Sequence, residues 1–263
     1  MTNVGMIFYL LLIKNNMIYI KTSSDIDAIR KSNKLVAHVL SQIRKEAKPG
    51  VTTKYLDELA ENLALQNNAL PGFKGYKGFP ASICASVNNE VVHGIPNNTP
   101  LANGDVLSVD FGILLDGWYG DAAITVPIGK ISKPARKLIA VTEECLYRGI
   151  NAIGADARIK DISTAIQNHA ELNGFNVIRD YVGHGIGREL HEAPSIPNYV
   201  TNHNNYKLIP GMVIAIEPMV VQYDYNTISN GWTVLTKDGG LAAHFEHTVT
   251  ITRNGVKILS RGE

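Results

Sequence analysis

Two strings in this chain are near copies of one another, and they restrict the fold more than any other feature. Leu101-x-x-Gly104-x-Val106-Leu107-x-Val109-Asp110 lines up with Leu208-x-x-Gly211-x-Val213-Ile214-x-Ile216-Glu217, matching in type at six positions and ending each time in a carboxylate. Upstream of each stands a His-x-x-Pro, His93 to Pro96 and His191 to Pro194. Downstream of each, a second acid opens a β-branched run: Asp121 precedes Ile124-Thr125-Val126, and Glu246 precedes Val249-Thr250-Ile251. Helical patterns lead into both sets. Ser24, with Asp27 as capping-box partner, opens a helix that carries Ile26, Ile29, Val36, Leu40 and Ile43 and stops at Pro49-Gly50. A second starts at Thr52 or Thr53 and carries Leu56, Leu59 and Leu63. A third begins at Pro134, with Leu138, Val141 and Cys145 on one face, and Gly154 breaks it. A fourth ends near Leu172, before Gly174. The order helix, helix, His-x-x-Pro, acid strand, acid strand therefore occurs twice. It implies an internal duplication, an α+β fold of two pseudo-symmetric halves spanning about 24–130 and 131–255.

The bulk properties narrow the possibilities further. A chain of 263 residues suits one large domain with a substantial core. Its net charge of +1, from 25 basic and 24 acidic residues, gives no footprint for nucleic acid or an anionic membrane. Cys84 and Cys145 stand far apart and in no CxxC pattern, which fits a reducing cytosol. The apolar run Gly5 to Ile13 is about half the length that a membrane-spanning helix needs. No basic residue precedes it and no small-x-small cleavage site follows, so it reads poorly as a signal peptide. Met17 opens a segment that leads directly into the first capped helix. Residues 1–16 thus read as an extension outside the fold, with a single domain over 17–263.

A carboxylate in a strand usually faces solvent, but Glu217 resists that reading. Val213 and Ala215 share its phase, and Ile214, Ile216 and Val220 make the other phase apolar as well. A strand apolar on both faces is buried, and a buried carboxylate needs a cation. No lysine or arginine lies between Gly211 and Gln222 to supply one. Asp110 and Asp121 are joined through Leu115-Asp116-Gly117, a hairpin signal that sets the two acids side by side. Like charges so placed repel unless one is protonated or a metal lies between them. His184, in Tyr181-Val-Gly-His184-Gly-Ile-Gly187, is the candidate fifth ligand. Its glycines superficially resemble a nucleotide loop, but Pro194 and Pro197 follow too soon for the helix that would cradle phosphate. Four carboxylates and a histidine suit divalent manganese, iron or cobalt. Five ligands suffice for two ions if two of the acids bridge, and a dinuclear hydrolase site follows.

Asp110, Asp121, His184 in Gly-His-Gly-Ile-Gly, Glu217-Pro218 and Glu246-His247-Thr248 together resemble the type I methionine aminopeptidases. So do Asn88-x-x-Val-x-His93-Gly-Ile-Pro96 and His191-Glu-x-Pro194, and the similarity runs from about Met17 to the C-terminus. The resemblance implies the "pita-bread" fold, a curved, antiparallel-rich sheet covered by helices. It also implies removal of the initiator methionine from nascent polypeptides at the ribosome by a cytoplasmic, monomeric enzyme. By the same resemblance Asp121 and Glu246 bridge two metals, Asp110 chelates one, and His184 and Glu217 hold the other. Glu217 also shuttles protons, His191 polarises the scissile carbonyl or stabilises its oxyanion, and His93 contacts the substrate backbone near the scissile amide. Phe73, Tyr76, Phe79, Cys84, Leu190 and Trp232 are placed around the methionine side chain, and such a lining suits a polarisable thioether. Leu190 departs from a common phenylalanine and Phe73 from a cysteine. Two rivals share this fold: X-Pro peptidases, which carry a large N-terminal domain, and non-catalytic binding modules, which have lost ligands. The type II enzymes carry an insertion before the second acid strand, and the short interval from His191 to Glu217 favours type I.

Overall fold

Helix α1 runs from Ser23 to Glu46. Its capping box is Thr22 with Asp25 rather than Ser24 with Asp27: Thr22 Oγ1 accepts from the Asp25 amide, and Asp25 Oδ2 accepts from the Thr22 amide. The earlier start has a cause distant in sequence. The Lys21 amide donates to the Gly211 carbonyl, which holds residue 21 extended and leaves Thr22 as the first residue free to cap. The computed structural model describes residues 17–203 and 205–262, so the expected N-terminal extension lies outside the described residues. Helix α2 (Thr53–Gln66) is capped by Thr52, as its sequence suggests. Helix α3 (Lys133–Asn151) is capped by Ser132 and carries Pro134 in its first turn, where no backbone donor is missed. Helix α4 spans Ile159–Leu172, and Gly174 follows in the left-handed region.

The strands of the first half are β1 (Leu70–Pro71), β2 (Cys84–Val87), β3 (Glu90–Val92), β4 (Val106–Leu115) and β5 (Trp118–Pro127). Those of the second are β6 (Asn176–Val177), β7 (Gly183–Gly185), β8 (Glu192–Ile196), β9 (Val213–Ile216) and β10 (Met219–Val221), then β11 (Thr227–Asn230), β12 (Thr233–Thr236), β13 (Ala242–His244), β14 (Glu246–Thr252) and β15 (Gly255–Ile258). The large sheet has the order β1-β4-β5-β14-β9-β7-β8, with β2 on β4 and β15 on β14. This order is a palindrome in the duplicated units. The copies β5 and β14 meet at the centre, their partners β4 and β9 flank them, and a pseudo-twofold passes between the two central strands. Two small sheets, β13-β10-β6 and β11-β12-β3, complete the structure, the latter pairing strands from both halves.

Each half buries its own helices against one face of the shared sheet. In the first, Val36, Leu40, Ile43 and Leu56 pack on Leu107, Val109, Phe111 and Ile113. In the second, Leu138, Val141, Ile162 and Ile166 pack on Ile214, Ile216, Val249 and Ile251. Side chains alternate along a strand, so Asp110, Glu217 and Glu246 must point to the opposite face. Register places Asp121 there too, because it stands opposite Gly112, two residues from Asp110. The hairpin between β4 and β5 turns at Asp116 and Gly117, both at positive φ (51° and 76°), which is the turn that matches strand twist.

Candidate metal centre

Cross-strand pairing lines the acids up. Cys84 lies opposite Asp110, Asp110 opposite Ala123, and Ala123 opposite Glu246. Glu217 directly follows Ile216, which pairs with His247, the neighbour of Glu246. One row across β2, β4, β5, β14 and β9 therefore carries three acids, with Asp121 one step along β5. His184 reaches the same place from β7, and oxygen or nitrogen atoms of Asp121, His184 and Glu246 lie within 4.8 Å of one another. His184 Nε2 is 3.6 Å from Glu217 Oε1 and 4.0 Å from Asp121 Oδ2, too far for hydrogen bonds. Its Nδ1 lies 2.9 Å from the Gly185 carbonyl, which can only accept. The proton of the neutral ring is thus held on Nδ1, and Nε2 offers its lone pair to the cluster.

The electrostatics demand a cation. Asp121 and Glu246 are 3% and 2% exposed, and Asp110 Oδ1, Asp121 Oδ1 and Glu246 Oε1 are buried acceptors with no hydrogen-bond partner. Burial pushes Glu217 up to about 7. Burial, with added repulsion from Glu217, pushes Asp110 up to about 7. Asp121 and Glu246 are driven well above the carboxylate range, first by burial, then by Asp110 acting on Asp121 and by Asp121 acting on Glu246. Protons are a poor remedy for so many orphaned oxygens, and divalent ions supply both the charge and the directional partners. The donor set of carboxylate oxygens and one imidazole fits such ions.

Both singled-out histidines stand at the rim, each from its own half. His191 lies beside His184, with ring centroids 4.3 Å apart, and its Nδ1 is 2.9 Å from the Tyr76 hydroxyl. Burial, reinforced by His184, keeps it well below the usual imidazole range. His93 has a left-handed backbone (φ 58°) and sits edge-on to Tyr181 and Trp232. Burial brings its pKa to about 4, helped by repulsion from His244. All six residues expected around a methionine side chain fall in one apolar cluster. Phe73, Phe79, Cys84 and Leu190 are buried in it, and Tyr76 and Trp232 pack against it. Phe79 meets Trp232 edge to face at 5.4 Å. A groove lined by Glu144, Tyr147, Arg148 and His169 lies between α3 and α4 and holds none of these residues.

His244 is a residue that sequence reasoning passed over. It is 1% exposed, its Nε2 is buried without a partner, and that atom lies 3.6 Å from Glu217 Oε2. The signal was its position two residues before Glu246, in the same strand phase. His247, by contrast, turns away and bonds Ser260 Oγ through Nδ1 at 2.8 Å.

A duplicated sheet that gathers buried acids and a histidine beside an apolar cluster defines a metal-dependent hydrolase. The chain belongs to metallopeptidase family M24, whose profile matches residues 27–253. It is 52% identical to a methionine aminopeptidase of Clostridium acetobutylicum over 93% of this chain and 99% of that one. A crystal structure of methionine aminopeptidase from Thermotoga maritima superposes with a TM-score of 0.91 at 46% identity, covering 93% of this chain and 100% of that one. The prolidase from Pyrococcus furiosus shares the fold at a TM-score of 0.76 and 23% identity, and this chain covers 68% of it.

Proposed function

We propose that this protein removes the N-terminal methionine from nascent polypeptides, as a metal-dependent aminopeptidase with a dinuclear centre. The observation that carries the reading is the convergence of four acids, three of them with orphaned oxygens, and His184 on one face of the sheet beside the Phe73–Trp232 cluster. Asp121 and Glu246, from the central strands, would bridge the two ions. Asp110 would chelate one, and His184 with Glu217 would hold the other. Four negative charges balance two divalent cations, with manganese, iron and cobalt suited to the ligands. Bound there, the ions would supply Lewis acidity and a water made nucleophilic at neutral pH.

The remaining roles fall to the chain itself. Glu217 would take the proton from the attacking water and pass it toward the leaving amine, and a pKa of about 7 suits that exchange. His191 would donate to the oxygen of the scissile carbonyl as charge develops there. His93 would bind the substrate backbone. Burial keeps both imidazoles neutral, so neither adds a positive charge beside the cations. Cys84 would serve as an apolar wall, since burial holds its thiol protonated. Residues from 17 onward would form one catalytic domain with residues 1–16 outside it. Both cysteines are free, which suits the cytoplasm, and one chain supplies every ligand, which suits a monomer.

The deciding measurement is release of free methionine from a Met-Gly-x peptide by purified protein, with a Leu-Gly-x peptide as control. Methionine should appear only with added divalent metal and vanish with chelator. A protein that binds two divalent ions and releases no methionine would overturn the reading.

A further inference from the structure

The ion pair between Lys21 and Glu192 includes none of the candidate metal ligands, yet it is among the most deeply enclosed polar contacts of the fold. Lys21 Nζ bonds Glu192 Oε2, and the two side chains are 4% and 5% exposed. The other carboxylate oxygen, Oε1, accepts from the amides of Arg188 at 2.8 Å and Glu189 at 3.2 Å. Glu192 therefore ties together a loop, residues 187–192, that carries Leu190 and His191. Gly187 is part of the fit: a Cβ there would lie 2.6 Å from Glu192 Oε1 and 2.8 Å from Lys21 Cε. The same loop is pinned to the tip of the β4–β5 hairpin. The Tyr119 amide donates to the Gly187 carbonyl, Arg188 Nη1 donates to the Gly117 carbonyl, and the Arg188 guanidinium stacks 3.8 Å over Trp118. Lys21 itself is fixed by its amide on the Gly211 carbonyl.

We propose that Lys21 and Glu192 are positioning residues for His191: the N-terminal segment acts as a strap whose buried ammonium group fixes one oxygen of Glu192, so that its second oxygen holds the loop behind the histidine. Without Lys21 the Glu192 side chain loses the partner that fixes Oε2 and draws in water to replace it, which loosens the two amide bonds on Oε1. A histidine acting on a developing oxyanion tolerates little displacement, and a shift of about 1 Å can cost roughly a hundredfold in rate. The inference rests on the role given to His191 above. It adds that this role depends on residue 21, at the opposite end of the domain's sequence.

The test compares turnover of a Met-Gly-x peptide by metal-loaded K21M, E192Q and H191A, with folding checked by circular dichroism and metal content by calorimetry. K21M should bind metal as the parent does and lose kcat about ten- to a hundredfold with KM little changed. The double variant K21M/E192Q removes both charges but keeps an oxygen for the two amides, and it should regain part of the loss. K21M/E192A removes charge and oxygen alike and should not. If K21M alone fails to fold, the two neutral double variants decide between the outcomes. Parental kcat in folded K21M or in K21M/E192A would overturn the positioning role. Parental kcat in H191A would instead overturn the role of His191 itself.

Discussion

The first half joins its acid-bearing strands, β4 and β5, by a two-residue turn at Asp116–Gly117, whereas residues 217–245 intervene between β9 and β14 in the second. The short connection makes a hairpin paired along its whole length, from Val106 with Pro127 to Leu115 with Trp118. The long one leaves the main sheet, supplies two strands to each small sheet, and brings Trp232 to the apolar cluster and His244 to Glu217. The same duplicated unit has thus been used in two ways. One copy is a rigid platform that sets the spacing of two carboxylates by register alone. The other supplies equivalent carboxylates and, in the intervening chain, walls that the platform lacks.

Glu246→Gln should have the largest effect, because in the proposed centre this acid on a central strand would serve both ions. Methionine release should fall by about a hundredfold or more, and calorimetric titration should no longer find two bound ions. Asp110→Asn, on a flanking strand, should retain one. Equal stoichiometry in the two variants would break the distinction between central and flanking positions.

Core truncation asks whether the halves are one cooperative unit. Phe111→Ala on the platform should cost about 3–5 kcal/mol, and Ile216→Ala in the other half about 2–5 kcal/mol, since both side chains are 0% exposed. Urea unfolding should show a single transition in each variant because β5 and β14 share one sheet. Two separate transitions would mean that the halves unfold independently.

The acids also predict a pH dependence for metal-free protein. Asp110 and Glu217 rise to about 7 from ordinary values of 3.8 and 4.5, so the folded state binds more protons than the unfolded one between those limits. Their contribution to stability is then greatest below the ordinary values and is lost as pH rises through about 7, and above 6.5 the buried histidines no longer oppose it. Melting temperatures in chelator, measured from pH 6.5 to 8, should decline, and divalent metal should flatten the decline. A chelated protein more stable at pH 8 than at pH 6.5 would contradict it. Smallest of the four, Gly117→Ala should cost about 1–2 kcal/mol by urea unfolding, because its φ of 76° disfavours a side chain. No loss would show that the platform does not depend on its turn.

Much of this arrangement was legible in the residues because its determinants are local. The alternation around Glu217, the Asp116–Gly117 turn and the repeated strings each reflect a period or a spacing that a strand must obey. What escaped notice depends on partners distant in sequence. The start of α1 slipped from Ser24 to Thr22 because the Gly211 carbonyl holds residue 21. His244 shares the strand phase of Glu246, yet only the return of the long connection brings it against Glu217. The Lys21–Glu192 pair spans both halves and leaves no periodic trace.

The palindromic strand order has a consequence for the order of events as the chain folds. The β4–β5 hairpin needs only local closure, and such hairpins form in about 1–10 μs. The central pairing of β5 with β14 is of another kind: Thr248 Oγ1 donates to the Asp121 carbonyl across a separation of 127 residues. Contacts so far apart close late, since the entropy of the intervening loop must be met before they return anything. Until then Asp110 and Asp121 stand without Glu217 and Glu246, and two carboxylates alone hold a divalent ion weakly. In the proposed centre the ions would therefore be captured by a sheet already closed, after synthesis has passed Glu246. The metal taken up would then be set by the ions that the finished protein meets.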